Sequence, residues 1–168
     1  MTNNLDNLIS ILPFAFLIHN IEEIFGMERW TKSISKFYPQ PVTTRQFSIA
    51  AGLFTFLGFV LILTKKYYQT EQQYLLTITG FAGMLLLNVF FPHTIATIYL
   101  KKYSPGLITG LLLNFPLTTF ILWTIYNSNN LPVRQMAIAI ILGSILGVLL
   151  AFIFLKIGKF VDDKLKKE

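Results

Sequence analysis

Five long apolar runs constrain this chain more than any other feature of its sequence. They cover about residues 5–25, 47–64, 74–100, 105–126 and 136–158. A helix rises about 1.5 Å per residue and the hydrocarbon of a bilayer is about 30 Å thick, so a span needs roughly 20 apolar residues. Only helices and closed barrels satisfy their backbone polar groups in lipid. These runs are about twice a barrel strand and do not alternate, so they read as helices. The expected fold is therefore all-α: a polytopic membrane helical bundle of about five transmembrane helices. Only 13% of the 168 residues are charged, against about 25% in a soluble domain. The length suits one membrane-embedded domain, 1–168.

The net charge of +6 is not read as a nucleic-acid signal, because the basic residues sit at the ends of apolar runs. With the N-terminus outside, eleven lysines and arginines fall inside (Arg29, Lys32, Lys36, Arg45, Lys101, Lys102, Lys156, Lys159, Lys164, Lys166 and Lys167). Three fall outside (Lys65, Lys66 and Arg134). That bias predicts an N-out, C-in protein of the cell membrane with membrane lipids as its partners. The first run reads as a retained helix rather than a signal peptide, since Met1–Asn7 holds Asp6 and no basic residue. The absence of cysteine excludes disulfides, thiolate metal sites and cysteine nucleophiles.

Residues 28–38 read as an interfacial amphipathic segment, with Trp30, Ile34 and Phe37 at i, i+4 and i+7. Tyr67, Tyr68, Tyr99, Tyr103, Trp123 and Tyr126 lie at helix ends, where an aromatic belt belongs, and receive no chemical role. Gly106/Gly110 and Gly143/Gly147 have the small-xxx-small spacing of close helix packing. Internal packing is the first reading of these pairs and a homo-oligomer contact the second.

The chemistry is carried by His19-Asn20-Ile21-Glu22-Glu23, where the first apolar run holds one imidazole and two carboxylates. Ionisable residues inside a span are costly and count as functional candidates. His19 and Glu23 are i, i+4; His19 and Glu22 are i, i+3. The spacing is similar to H-x-x-E-H, in which the first and fifth residues bind zinc and the fourth is the base. By that geometric analogy His19 and Glu23 are metal ligands and Glu22 a base. The carboxylates are taken to lie near a helix C-terminus, facing an unfavourable dipole, with Arg29 and Arg45 as candidate partners. His93 is the only other histidine. It lies eight residues before Lys101, about 12 Å of helix, at a depth similar to His19. Pro92 is expected to kink its helix at Asn88, whose carbonyl the ring opposes. Asn114, before Phe115-Pro116, falls at similar depth. His19, Glu23 and His93 thus make a candidate set for Zn or Fe. Glu22, Asn88 and Asn114 are candidate catalytic residues.

With these blocks in place, the chain resembles the HXXEE family of small integral membrane proteins. His19 to Glu23 matches the naming motif. Asn88 to His93 looks like the family's Asn…His block, and Tyr103-Ser104-Pro105-Gly106 like its Tyr-x-Pro-Gly turn. The resemblance spans about residues 12–109. It implies a helical integral membrane protein with metal or enzymatic activity and no established reaction. In the turn, Pro105 is placed at the first position of the fourth helix, and Gly106 against the third.

The first functional expectation is a metal-dependent membrane hydrolase acting on an apolar or lipid-like substrate. A metal-free glutamate-type intramembrane hydrolase is the second. A non-enzymatic proton or cation relay, a transporter or a structural subunit makes the third.

Overall fold

Leu5, Ile9, Leu12 and Phe16 recur at alternating spacings of four and three, which places them on one helix face. The computed structural model describes residues 2–37 and 39–166, and in it this face belongs to α1 (Thr2–Ser33). There follow α2 (Thr44–Leu63), a 3-10 turn (Lys65–Tyr67), α3 (Glu71–Asn88), a π-helical stretch (Val89–Thr94) and α4 (Ile95–Leu100). After a turn come α5 (Leu107–Thr109), a second π-helical stretch (Gly110–Asn114), α6 (Phe115–Asn127) and α7 (Val133–Leu165). No strand occurs among the described residues. Five helices are long and apolar enough to cross a membrane: Asn4–Ser33, Thr44–Leu63, Glu71–Leu100, Leu107–Asn127 and Val133–Leu165.

Three buried stripes build the core. The α1 stripe meets Leu75, Ile78, Ala82 and Leu85 of α3 and Ile121 and Ile125 of α6. Each stripe then changes chemistry without leaving its face. On α1 it continues into His19 and Glu23; along the α3 span into Val89 and His93; back along the fourth span into Thr118 and Asn114. One half of the bundle is thus aliphatic and the other polar, and all these residues are buried.

Around the bundle, α1 packs on α2 and α6, and α7 on α2 and α3. Glycines set the α3–α7 distance. A Cβ on Gly143 would land on the backbone of Gly80, one on Gly83 would lie 2.7 Å from Ile140, and one on Gly147 would meet Met84. These glycines therefore face neighbours within the chain. The opposite side of α7 exposes Ile141, Leu142, Ile145 and Leu149, a contiguous apolar surface suited to lipid. Gly143→Ala is expected to force α3 and α7 apart and cost about 1–3 kcal/mol. Thermal unfolding in detergent measures it. Gly52→Ala, where a Cβ meets nothing within 4 Å, should leave the midpoint unchanged or raise it.

The span expected to kink at Pro92 does so, with non-helical angles at Phe91 (φ −129°, ψ 117°) and a cis Phe91–Pro92 bond. The Thr94 hydroxyl donates to the Val89 carbonyl at 2.7 Å, satisfying backbone freed by the break. Three expectations need correction. Residues 28–33 are the last turns of α1, since no proline occurs between Phe25 and Ser33, and residues 34–37 form a turn. Tyr38, the end of the expected interfacial segment, lies outside the described residues, as do Met1, Lys167 and Glu168. Because α1 runs on to Ser33, Glu22 and Glu23 are mid-helix and not at its C-terminus. Pro105 precedes α5 by two residues, with Gly106 between them at φ +92°.

The lower end of the bundle, where α1 finishes, is tied by polar contacts. Glu28 accepts the Thr44 N–H at 2.7 Å and so caps α2. Asp162 of α7 accepts from Thr43 at 2.8 Å and pairs with Arg45 at 3.5 Å.

Candidate metal centre

Where the polar halves of the stripes converge, His19, Glu23 and His93 each offer one ligand atom, and these atoms lie within 4.8 Å of one another. Glu23 Oε1 is 3.2 Å from His93 Nε2, and Glu23 Oε2 is 3.8 Å from His19 Nε2. The two rings meet edge to face, centroids 5.0 Å apart. Such a group is one that could hold a metal ion.

Hydrogen bonding fixes the His19 ring. The Thr109 hydroxyl donates its one hydrogen to Glu22 Oε2 at 2.5 Å. Its oxygen therefore accepts from His19 Nδ1, 3.1 Å away. The tautomer assigned by this network has a bare Nε2, which accepts from the Asn88 amide at 3.2 Å. His93 Nδ1 lies 3.4 Å from the Ser104 hydroxyl. Its Nε2 is buried without a hydrogen bond, although the carboxylate of Glu23 is adjacent. Among the described residues no donor hydrogen-bonds to Glu23. A carboxylate and two imidazole nitrogens thus point at one another, a donor set suited to Zn or Fe(II). The supporting bonds on the far ring nitrogens are those by which proteins orient ligating histidines.

Glu22 and Glu23 are neighbours in sequence and opposites in environment. Successive helical residues differ by about 100°, so Glu22 faces the 103–109 turn. It accepts from Tyr103 Oη, Gly106 N–H at 2.9 Å, Thr109 N–H at 2.8 Å and the Thr109 hydroxyl. The sequence-level candidate base is therefore committed to four donors. Burial, and then the bond to Glu22, pushes the Tyr103 phenol up to about 12, so it stays a donor at neutral pH. The turn closes over the cluster. A Cβ on Gly106 would sit 2.8 Å from Cε1 of both histidines and 2.9 Å from Cγ of Glu23. Gly26, one turn past Glu22, leaves room for the ring of Pro105.

The two asparagines separate. Asn88 touches His19; Asn114 is fully buried with both amide atoms unbonded and makes no hydrogen bond to the cluster. Neither expected arginine reaches the carboxylates: Arg45 pairs with Asp162, and among the described residues no ion pair joins Arg29 to Glu22 or Glu23. Tyr103, Ser104 and Thr109 were not among the sequence candidates. Tyr103 reads as a belt aromatic, and the two hydroxyls have no signal until the turn folds back. Glu22→Gln keeps one acceptor oxygen and sets an amide against donors. It is expected to weaken metal binding about 10–100-fold, read by titration against a chelator. Tyr103→Phe, leaving three donors, should do less.

Comparison with known proteins follows the same residues. The sequence profile of a family described as "Protein of unknown function with HXXEE motif" matches residues 10–121. "Uncharacterized protein YrkK" of Bacillus subtilis (strain 168) is 34% identical over 155 residues, covering 92% of this chain and 97% of that protein. No solved structure matches the chain.

Proposed function

The chain belongs to the HXXEE family, and from that premise we propose that it is a metal-dependent membrane hydrolase acting on an apolar or lipid-like substrate. His19, Glu23 and His93 hold one zinc or iron(II) ion in this reading. The observation that carries it is the buried convergence of a carboxylate and two imidazole nitrogens, with His93 Nε2 left without a hydrogen bond. A buried polar atom without a partner costs about 1–3 kcal/mol, and a shared cation relieves all three groups at once. Such an ion supplies Lewis acidity toward a carbonyl and lowers the pKa of a water.

The chain's own residues do the rest. Asn88 lies 3.2 Å from the His19 nitrogen that would ligate the ion, so with that lone pair on the ion its amide would turn to a substrate oxygen. Thr109 joins His19 to Glu22, so Glu22 orients this ligand while it holds the turn. Asn114, buried and unbonded, is the second candidate for developing charge. The bias of lysines and arginines supports an N-out orientation, which would put this site in the cytoplasmic half.

The 3.2 Å approach of Glu23 to His93 also favours a second reading, a glutamate-type hydrolase in which one shared proton replaces the metal. Elemental mass spectrometry of protein purified without chelators separates the two. About one ion per chain supports the metal reading; a metal-free protein that still hydrolyses a fatty ester supports the other.

A further inference from the structure

A cavity of about 430 Å³ adjoins the cluster, enclosed by α1, α2, the α3 span and α7. Its wall is mostly apolar, with one polar patch where Asn20, Glu23, Asn88, His93 and Ser104 reach it; Thr31 and Ser144 are polar lining residues outside that patch. That patch lies at mid-length. Along α1 the lining runs Phe16, Asn20, Glu23, Met27, Trp30, so apolar side chains continue on both sides of the polar ones. Along α7 the lining extends from Ser144 to Leu155, about 16 Å of helix. The volume spread over that length leaves a channel about 6 Å across, and carbon atoms in contact stand about 4 Å apart. One alkyl chain fits; two do not.

The cavity has a side entrance. The close contact of α3 with α7 runs through Gly80, Gly83 and Met84 and ends where the helix breaks at Val89–Thr94. Beyond it Leu87 and Phe91 on one side, Val148 and Phe152 on the other, line the cavity and are exposed, as residues at a mouth facing lipid must be.

We propose that this cavity binds a single-chain neutral lipid, a fatty ester or fatty amide, which enters from the bilayer between the broken third span and α7. Its carbonyl linkage lies at Glu23, His93 and Asn88, with alkyl segments on both sides. A terminal carboxylate finds no lysine or arginine along the cavity. This inference names the substrate class of the hydrolase proposed above and rests on that reading.

The test is photolabelling in lipid nanodiscs with N-butyl dodecanamide carrying a diazirine in its acyl chain; the amide resists hydrolysis. Expected are adducts on Met84, Trp30 or Phe152, displaced by unlabelled amide, with dodecanoate about tenfold weaker as competitor. Ala151→Trp, filling the cavity wall, should reduce them about tenfold while metal content and helicity stay at wild type; Ser144→Phe is the second variant should the first misfold. Adducts confined to outward residues such as Phe120, or unchanged by the folded filling variant, overturn the proposal, and equal competition by dodecanoate overturns the neutral linkage. His19→Ala separates the two readings, because it removes the metal and leaves the cavity. Cavity labelling in a protein that never holds metal sinks the metal reading alone. A metal-loaded protein labelled only outside sinks this one alone.

Discussion

His93→Ala, His19→Ala and Glu23→Gln are each expected to abolish the binding of one metal ion per chain, while far-UV circular dichroism stays at wild type. Each substitution removes one of three donors that lie within 4.8 Å of one another, so the loss should exceed the about 10–100-fold that a supporting partner costs. Helicity survives because the aliphatic half, from Leu5 to Phe16 and across to Ile125, does not depend on the cluster. The stabilities should then cross over. With a chelator present, the wild type keeps a carboxylate facing two imidazoles, one nitrogen of which has no hydrogen bond. Glu23→Gln places an amide N–H within reach of His93 Nε2 and removes a buried charge. It should therefore be more stable than the metal-free wild type, by about 1–3 kcal/mol. With metal added the order reverses, since only the wild type gains binding free energy. Thermal unfolding in detergent, with and without chelator, measures both. A wild type indifferent to metal and chelator, and unchanged in ion content by the three variants, would sink the metal reading.

The aliphatic half was legible because membrane spans advertise themselves by length, and His19 and His93 because helical rise alone puts the two histidines at one depth. Glu22 and Glu23 were not separable by that reasoning. Both fall within reach of the imidazole by spacing, and the analogy with H-x-x-E-H gave Glu22 the free role. The signal that distinguishes them is the apolar stripe above. Continued past Phe16 at spacings of three and four, it passes through His19 and Glu23 and leaves Glu22 outside. The length of α1 was misread for a related reason. Glu28, Arg29 and Lys32 look like the polar rim of a span, but nothing among them stops a helix, and Glu28 instead caps α2. Tyr103, Ser104 and Thr109 were illegible for a different reason. Their partners Glu22, His93 and His19 are between 11 and 90 residues away, and only closure of the turn brings them together.

That closure makes Gly106 the position where the smallest change has the largest structural effect. Gly106→Ala is expected to lower stability by several kcal/mol and to destroy metal binding, from two independent causes. At φ +92° a side chain is strained, at about 1–3 kcal/mol. The added Cβ also overlaps His19, His93 and Glu23 together, at 2.8 to 2.9 Å. Overpacking of that kind costs about 1–3 kcal/mol more. None of the three can retreat freely: His19 is held by Thr109 and Asn88, His93 abuts Ser104, and Glu23 stands on the inner face of α1. Relief requires the turn to lift, which breaks the Gly106 and Thr109 bonds to Glu22. Gly110→Ala is the control, four residues on in the first turn of the fourth span. There φ is −56° and the nearest atoms, of Val89 and His19, are at 3.5 and 3.6 Å, ordinary contact, so metal content and unfolding midpoint should stay near wild type. Hydrogen exchange of residues 101–109 reads the mechanism directly. Gly106→Ala should raise exchange there and leave the Leu75–Leu85 amides protected. Equal behaviour of the two glycine variants would mean that the turn does not bear on the cluster as its geometry indicates.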